Sequence, residues 1–339
     1  MTGVLACSTD RPSPIPDESQ RWGLVVHGGA GGLEAIEGRE AEIHAATAAA
    51  LDAGFRILAA GGSSLDSVQA AVVVLEDSPH FNAGKGAAFT HEGANELDAA
   101  IMDGRGRMAG AVAGVRRIKN PIRLARLVME RSPHVMMIGD GAEMFAREQG
   151  IELVPESYFR TELRWQQLQR ALAIEKEKQG ALRPRSDDPK HGTYFGTVGA
   201  VALDQAGNLA AATSTGGVTN KRFGRVGDSP VIGAGTYASN LSCGISATGV
   251  GEYFIRFTVA HDICARVEYR GISAQQAADD VVQDVLKRAG GEGGVIGLDR
   301  FGGIITSFNT SGMIRGYIGH SGNPTIMFSA EDGAALVQK

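Results

Sequence analysis

The 339-residue chain has few cysteines, no strongly basic segment and no long apolar run. Its cysteines, Cys7, Cys243 and Cys264, form no CxxC pair and have no histidines at ligand spacing, so we expect thiols in a reducing compartment rather than disulfides or a zinc site. No stretch approaches the ~18 apolar residues that a membrane span needs. A net charge of −5 without a basic, aromatic-rich stripe argues against a nucleic-acid partner.

The first 20 residues lack the basic start and the apolar stretch of a signal peptide. We therefore predict a disordered leader over residues 1–20 and a cytoplasmic protein. An exported form whose signal has been trimmed stays open as an alternative, because residues 4–7 (VLAC) resemble the end of a lipoprotein signal.

Glycine is abundant, with 47 residues, and it falls between apolar runs as GG and GxG pairs, which indicates tight turns. A strand is predicted at 23–27, followed by a glycine loop at 28–32. Helical periodicity covers 39–60 and 64–76, with Ser63 or Ser64 as N-cap of the second helix. A mobile linker is expected at about 175–196, where charged and turn-forming residues follow a helix.

Two hairpins with a common skeleton follow the linker. Residues 197–215 and 295–312 each contain Leu-Asp-x-x-Gly-x, then an apolar strand, then Thr, Ser or Asn before Gly. Two helical stretches, 251–269 and 273–290, separate the hairpins. Because strands and helices mix without regular βαβ alternation, the pattern predicts an α+β fold with sheets covered by helices.

The Gly196-Thr197 dipeptide carries the main chemical hypothesis. A hydroxyl that opens a rigid strand can attack the carbonyl carbon of its own upstream peptide bond. Cleavage there would leave Thr197 with a nucleophilic hydroxyl and a free α-amine. That amine can serve as general base, since its ordinary pKa is about 7.7–8.0. No GxSxG, HExxH or GxxxxGK[ST] motif offers a competing mechanism.

Six motifs occur in a fixed order: HGGAGG (27–32), FNAGKGAAFT (81–90), ELDAAIMDG (96–104), GTVGAVALDQAGNLAAATSTGG (196–217), GRVGDSPVIGAGTYA (224–238) and TGVGE (248–252). Together they resemble the plant-type asparaginase, or isoaspartyl peptidase/L-asparaginase, family of N-terminal-nucleophile hydrolases. The resemblance implies a four-layer αββα sandwich in a single domain, 21–339. It also implies autocleavage into an α subunit, 1–196, and a β subunit, 197–339, with two αβ units forming a homodimer.

The resemblance assigns roles to individual residues. Cleavage would fall between Gly196 and Thr197, and the freed threonine would be the nucleophile. The other implied site residues are a second threonine beside the nucleophile, the oxyanion hole, the pair that reads the substrate's α-carboxylate and α-ammonium, a substrate-contacting turn and an asparagine near the nucleophile: Thr215; Thr248 and Gly249; Arg225 and Asp228; Gly251; Asn82. The oxyanion motif reads TGVGE where the family has TGTGE, and we expect little change because the donors precede Val250.

The resemblance implies no cofactor for catalysis but a structural sodium ion held by backbone carbonyls. The matching loop residues are Leu75, Glu76, Ser78, Phe81, Ala83 and Lys85. Lys85 occupies a position where a neutral residue would suit a cation better, so its side chain is expected to point away. His27, at the edge of the glycine loop, is expected to be structural.

The implied substrates are L-asparagine and β-aspartyl dipeptides, with L-aspartate released. The GTVG junction favours this branch over glycosylasparaginase, whose junction resembles HDT. A glycosylasparaginase-like or protein-processing threonine hydrolase remains an alternative, as does a non-catalytic relative that binds aspartyl groups.

Overall fold

The structure is a computed structural model that describes residues 21–179 and 196–333. The expected leader, 1–20, and most of the expected linker, 180–195, lie outside the described residues. Among the described residues, the strands in chain order are β1 Gly23–Gly31, β2 Leu97–Asp103, β3 Met108–Val115, β4 Met136–Ile138, β5 Val198–Leu203, β6 Leu209–Thr215, β7 Thr236–Ala238, β8 Cys243–Gly249, β9 Gly293–Asp299, β10 Ile304–Phe308, β11 Gly312–Gly319 and β12 Thr325–Ser329.

The α-helices of the same part of the chain are α1 Glu40–Ala59, α2 Ser64–Asp77, α3 Pro121–Arg131, α4 Gly139–Glu148, α5 Glu162–Gln179, α6 Gly251–Arg256, α7 Val259–Arg270, α8 Ala274–Asp279, α9 Lys287–Ala289 and α10 Ala330–Gly333. A π-helical segment, Asp280–Leu286, joins α8 to α9. No helix in the described ranges is long and apolar enough to cross a membrane.

Two sheets face each other, and each is covered by helices on its outer side. The larger sheet has the order β12-β11-β1-β5-β6-β2-β3-β4, and the smaller has the order β10-β9-β8-β7. Helices α1, α2 and α3 pack on the larger sheet, whereas α7 and α8 pack on the smaller. The expected α+β class and αββα layer order are therefore confirmed.

Alternation along the central strands produces the two layers of core. Leu24 and Val26 of β1 pack under the helices of the larger sheet, whereas Val25 between them faces the smaller sheet. In β5, Ala200 and Val201 divide in the same way. Neighbouring side chains of a strand point to opposite faces of the sheet. Both faces are buried here because helices cover one face and the smaller sheet covers the other.

Both predicted hairpins form, and the same residue type closes each turn. The Asp204 carboxylate accepts N–H bonds from Ala206 (3.0 Å) and Asn208 (2.9 Å) between β5 and β6. Asp299 accepts from Phe301 and Gly303, both at 2.8 Å, between β9 and β10. An aspartate at the head of a turn is well suited to this pattern. The first hairpin lies in the larger sheet and the second in the smaller one.

Local signals located the second helix correctly. The Ser63 hydroxyl accepts the Asp66 N–H at 3.1 Å, which confirms it as N-cap of α2. At its other oxygen, the Asp204 carboxylate of the first hairpin accepts the Ser64 N–H at 3.0 Å. The start of α2 is therefore fixed both by its own cap and by the strand pair that begins at the Gly196-Thr197 junction.

Two sequence expectations about loops are wrong. The glycine loop 28–32 is mostly strand, because β1 continues to Gly31 through an irregularity between His27 and Gly29 that preserves its pairing with β11. The expectation of a linker from about 175 is wrong for residues up to Gln179, because they belong to α5. Glutamate and lysine, which alternate there, are good helix formers.

The expectation of free thiols is wrong for two of the three cysteines. Cys243, at the start of β8, and Cys264, in α7, form a disulfide with Cα atoms 5.4 Å apart. The pairing was not evident from the sequence because 21 residues separate the two cysteines and only the packing of α7 on β8 brings them together. Cys7 lies outside the described residues.

Candidate active site

Thr197 lies immediately before β5, at the centre of the larger sheet. Its side chain is buried, and its hydroxyl donates a hydrogen bond of 3.1 Å to the hydroxyl of Thr215. Thr215 ends β6, the strand that pairs with β5. The hairpin therefore brings two threonines separated by 18 residues into direct contact.

Asn82 fixes the turn behind Thr215. Its side-chain amide donates to the Gly217 carbonyl at 2.6 Å, and its backbone carbonyl accepts the Gly216 N–H at 3.0 Å. The Gly217 N–H in turn donates to the Thr215 hydroxyl at 3.0 Å. The Asn82 amide oxygen accepts from Ala88 at 2.7 Å, so both ends of this side chain are engaged in holding backbone. Asn82 therefore holds the turn that follows Thr215.

Thr248 and Gly249 end β8 of the facing sheet. Thr248 is buried, and its hydroxyl lies 3.8 Å from the point where a Cβ on Gly196 would be. The two sheets therefore bring the Thr248 hydroxyl next to the Gly196-Thr197 junction. A Cβ on Gly249 would lie 2.4 Å from the Glu292 carbonyl oxygen and 2.6 Å from the Phe254 ring, so only glycine fits there.

Arg225, Asp228 and Gly251 meet at one place. A Cβ on Gly251 would lie 2.8 Å from an Asp228 carboxylate oxygen and 2.9 Å from the Arg225 guanidinium. The guanidinium also makes two hydrogen bonds to the Glu252 carboxylate, at 2.9 and 3.0 Å. The expected charge-reading pair and the glycine turn are thus brought together, with Glu252 as a partner that the sequence did not single out.

Asp228 is the most perturbed acid of this group. Its side chain is buried, and one carboxylate oxygen has no hydrogen-bond partner among the described residues. Burial raises its pKa to about 7, and the nearby charge of Arg225 opposes that shift. A buried oxygen without a partner, beside an arginine, is suited to a ligand that carries an ammonium and a carboxylate on one carbon.

Ser229 is a site residue that the sequence did not reveal. Its hydroxyl lies 3.4 Å from the Thr197 hydroxyl, and the residue is buried. Its only sequence signal is its place directly after Asp228 in the GRVGDS stretch. The loop that holds Arg225 and Asp228 therefore also contacts the Thr197 hydroxyl.

A chain of buried hydroxyls continues from Ser229 to His27. The Thr236 hydroxyl oxygen lies 3.1 Å from the Ser229 carbonyl oxygen and 2.7 Å from the Thr213 hydroxyl oxygen. Thr213 contacts Ser246 at 2.7 Å, and Ser246 contacts the His27 imidazole Nε2 at 2.9 Å. These contacts join both sheets beneath the site.

His27 is fully buried and contacts Ser246 of the facing sheet. Burial lowers its pKa to about 3. A Cβ on Gly199 would lie 2.5 Å from the His27 Nε2 and 1.9 Å from the Ser246 hydroxyl oxygen. The second glycine of the GTVG motif is therefore required by the contact between His27 and Ser246.

Comparison with known proteins agrees with this geometry. A family model described as asparaginase matches residues 20–328. The chain belongs to the asparaginase family.

Relatives within the asparaginase family are similar over most of their length. The isoaspartyl peptidase of Escherichia coli strain K12 is 49% identical, covering 91% of this chain and 97% of the relative. The isoaspartyl peptidase/L-asparaginase of Mus musculus is 44% identical, covering 86% of each chain. The protein of the same name from Homo sapiens is 42% identical, covering 86% of this chain and 91% of the relative. The resemblance drawn from the six motifs is thereby confirmed.

The loop that the asparaginase resemblance links to a cation has two glycines pressed against backbone carbonyls. A Cβ on Gly84 would lie 2.2 Å from the Glu76 carbonyl oxygen, and a Cβ on Gly86 would lie 2.0 Å from the Phe81 carbonyl oxygen. The Lys85 ammonium lies 5.4 Å from the centroid of the Tyr158 ring, so this side chain turns towards an aromatic face.

The side chain of Glu76, at the end of α2 that leads into this loop, is a buried acid that the sequence gave no reason to expect. Burial raises the pKa of its side chain to about 8, although hydrogen bonds from Ser214 (2.7 Å) and the Ile122 N–H (3.1 Å) oppose the shift. Within the described ranges, no cluster of three or more histidine, cysteine, aspartate or glutamate side chains could hold a metal ion.

Proposed function

We propose that this chain is an autoproteolytic amidohydrolase with an N-terminal threonine nucleophile. It hydrolyses β-aspartyl dipeptides and L-asparagine and releases L-aspartate. One observation carries the proposal: the buried Thr197 hydroxyl contacts Thr215, while the adjoining loop brings Arg225 and Asp228 together beside Gly251. The names of the relatives support the same substrates.

Maturation divides the chain into an α subunit, 1–196, and a β subunit, 197–339. The Thr197 hydroxyl attacks the Gly196 carbonyl carbon, and the acyl group shifts from nitrogen to oxygen. Water then hydrolyses the ester, which leaves a carboxylate on Gly196 and a free amine on Thr197. The Thr248 hydroxyl near Gly196 is the donor that the developing oxyanion would meet.

Turnover uses the same hydroxyl on an external amide. The Thr197 amine takes the proton as the hydroxyl attacks the β-carbonyl carbon, and the leaving amine or ammonia receives a proton. Water then releases L-aspartate from the β-aspartyl enzyme. Arg225 holds the α-carboxylate and Asp228 the α-ammonium, while Thr248 and the Gly249 N–H bind the oxyanion. L-asparagine and β-aspartyl dipeptides share this head, so one site serves both.

A sodium ion is the second part of the proposal. Carbonyl oxygens crowd against the two glycines of the 84–86 turn, and this arrangement fits a hard cation bound by backbone oxygens. The carbonyls of Leu75, Glu76, Ser78, Phe81, Ala83 and Lys85 would hold it. Such an ion would stabilise the loop that carries Asn82 and would take no part in the chemistry.

The assembly and location are also proposed. Two αβ units would form a homodimer, which light scattering would detect as twice the mass of one chain. We propose a cytoplasmic location, whereas the Cys243–Cys264 disulfide favours the export alternative, because disulfides persist in oxidising compartments. Cell fractionation distinguishes the two locations.

Denaturing gel electrophoresis and steady-state kinetics test the central proposal. On the gel, purified protein is expected to give two fragments, 1–196 and 197–339, produced by cleavage of the Gly196–Thr197 bond. In the kinetic assay it is expected to release L-aspartate from both L-asparagine and β-aspartyl dipeptides. Thr197→Ala is expected to stay intact and inactive, with Thr310→Ala, a threonine in the β10–β11 connection, as the matched control. A persistent single band in the unaltered protein would contradict autocleavage. Dipeptide binding without turnover would favour the non-catalytic alternative.

A further inference from the structure

The segment 218–224, which leads from the Thr215 turn to Arg225, has an unusual backbone. Asn220 (φ 66°) and Phe223 (φ 60°) both adopt the left-handed conformation, which asparagine accepts more readily than most residues but which is strained for a bulky residue such as Phe223. The Phe223 side chain is 98% exposed, so its own packing does not hold it there. Strained residues of this kind persist only when their surroundings enforce the conformation.

Four polar side chains supply such surroundings, and we call them the Glu175 cluster: His91, Glu175, Asn220 and Arg222. The Glu175 carboxylate accepts hydrogen bonds from the Asn220 amide at 3.1 Å and from the Arg222 guanidinium at 3.0 Å. His91 contacts the Asn220 amide oxygen at 2.8 Å. The cluster therefore fixes residues 220 and 222, one of them left-handed and the other directly before the second left-handed residue.

Backbone hydrogen bonds connect the Glu175 cluster to Arg225, the proposed substrate-binding arginine. The Asn220 N–H donates to the Phe89 carbonyl at 2.9 Å, and the His91 N–H donates to the Lys221 carbonyl at 2.9 Å. A turn then links the Arg225 N–H to the Arg222 carbonyl at 3.0 Å. Arg225 therefore lies one turn after Arg222, the residue that the Glu175 cluster holds in place.

We propose that Glu175 is a positioning residue, which through Asn220 and Arg222 holds the loop so that the Arg225 guanidinium meets the substrate's α-carboxylate. The inference rests on the proposed function of Arg225. Recognition by a planar guanidinium depends strongly on its placement, and small displacements at a binding group lower activity sharply. Glu175 lies on α5 in the proposed α subunit and its two partners in the proposed β subunit, so the contact also spans the two products of cleavage.

A purely structural role predicts a different result from a positioning role. The side chains of the ion pair are partly solvent-exposed, 28% for Glu175 and 33% for Arg222, and form no part of the apolar core. Loss of this contact should therefore leave global stability almost unchanged. Its effect should fall on substrate affinity.

The test compares Glu175→Gln with Glu268→Gln. Glu268 forms a similar pair between separate elements, with Arg107 at 3.0 Å, and lies outside the loop. KM and kcat are measured with L-asparagine and with a β-aspartyl dipeptide, and kcat is calculated from the concentration of cleaved protein. E175Q is expected to raise KM about fivefold for both substrates, the effect of one exposed ion pair, with kcat and Tm unchanged. E268Q is expected to leave KM unchanged.

Phe223→Gly provides a second measurement, because glycine adopts the left-handed conformation freely. In the F223G background, Glu175→Gln is expected to raise KM less than in the unaltered protein. An unchanged KM in E175Q would overturn the positioning role, as would a parallel loss of kcat and Tm or an undiminished effect in F223G. An unaltered protein without activity on either substrate would instead overturn the proposed function.

Discussion

The Thr197 hydroxyl donates to the Thr215 hydroxyl at 3.1 Å and lies 3.4 Å from the Ser229 hydroxyl. Within residues 21–179 and 196–333, its hydrogen-bond partners are thus two neutral hydroxyls, with no imidazole or carboxylate among them. Neither hydroxyl is basic enough to accept a proton at neutral pH. The arrangement therefore supports a mechanism in which the α-amine freed by cleavage is the base.

Thr215→Val is expected to lower kcat by about two- to tenfold, because it removes the hydroxyl that accepts the Thr197 O–H and fixes its direction, a neutral hydrogen bond worth about 0.5–1.5 kcal/mol. KM should change little, since Thr215 makes no contact with Arg225 or Asp228. Steady-state kinetics on the cleaved protein measure both constants. Thr215→Ser, which keeps the hydroxyl, is the control and should retain most of the activity. An unchanged kcat in the valine variant would argue against the role of this contact.

The pH dependence of substrate capture should follow Asp228. Its folded-state pKa is raised to about 7 by burial, so the free site is increasingly protonated, and unable to pair with an ammonium, as pH falls below 7. Bound substrate favours the carboxylate form, which lowers the pKa in the complex. The Thr197 amine, with an ordinary pKa of about 7.7–8.0, must be neutral for turnover, so kcat also rises with pH. We therefore expect kcat/KM to rise more steeply than kcat between pH 6 and about 7.5, because only kcat/KM also reports Asp228 in the free site. Identical pH profiles for the two constants would contradict this assignment.

The same shift affects stability. The native state retains a proton on Asp228 that the unfolded chain releases at its ordinary pKa of 3.8, so this contribution is present at acid pH and is lost as pH rises through about 7. Asp228→Asn should consequently match the unaltered protein in stability near pH 4 and exceed it above pH 8. Thermal unfolding at the two pH values measures the difference, and a variant that is less stable at high pH would contradict the shift.

The two glycines of the GTVG motif should respond differently to alanine. A Cβ on Gly199 would overlap the Ser246 hydroxyl and the His27 ring, at 1.9 and 2.5 Å, whereas one on Gly196 would meet only the Thr248 hydroxyl, at 3.8 Å. Gly199→Ala should lower the free energy of unfolding by about 1–3 kcal/mol, as overpacking does. Gly196→Ala should leave it unchanged. Urea unfolding measures both, and equal effects would show that the buried contact does not decide the choice of glycine.

Contacts between neighbours in sequence were predictable, and contacts between layers were not. The Ser63 cap and both aspartate turns follow from residues within four positions of each other. The role of Ser229 depends instead on a loop folding back 32 residues onto Thr197. No pattern in one sequence encodes such a distance, so only the resemblance to a family could indicate the remaining site residues.

Burial of polar residues also depends on contacts that are distant in sequence. Glu76 follows the apolar stretch of α2, and it is fully buried beside the Ser214 hydroxyl of β6. The GG pairs after His27 indicated a loop, although strand β1 continues to Gly31. Glycine lacks a side chain to mark the strand, and a Cβ on Gly28 would lie 2.5 Å from the Phe81 ring and 2.9 Å from Ile314, so none is tolerated there.

Sodium should raise the thermal stability of the protein through the 84–86 turn. Gly84→Ala is expected to abolish this effect, because a Cβ there would lie 2.2 Å from the Glu76 carbonyl oxygen and glycine's left-handed φ of 49° would be strained. Lys85→Ala should preserve it, since the ammonium faces the Tyr158 ring. The measurement is Tm in sodium chloride against choline chloride at equal ionic strength. If Tm is the same in both salts for the unaltered protein, the loop holds no sodium; if only Lys85→Ala shows a sodium effect, the ammonium blocks the site.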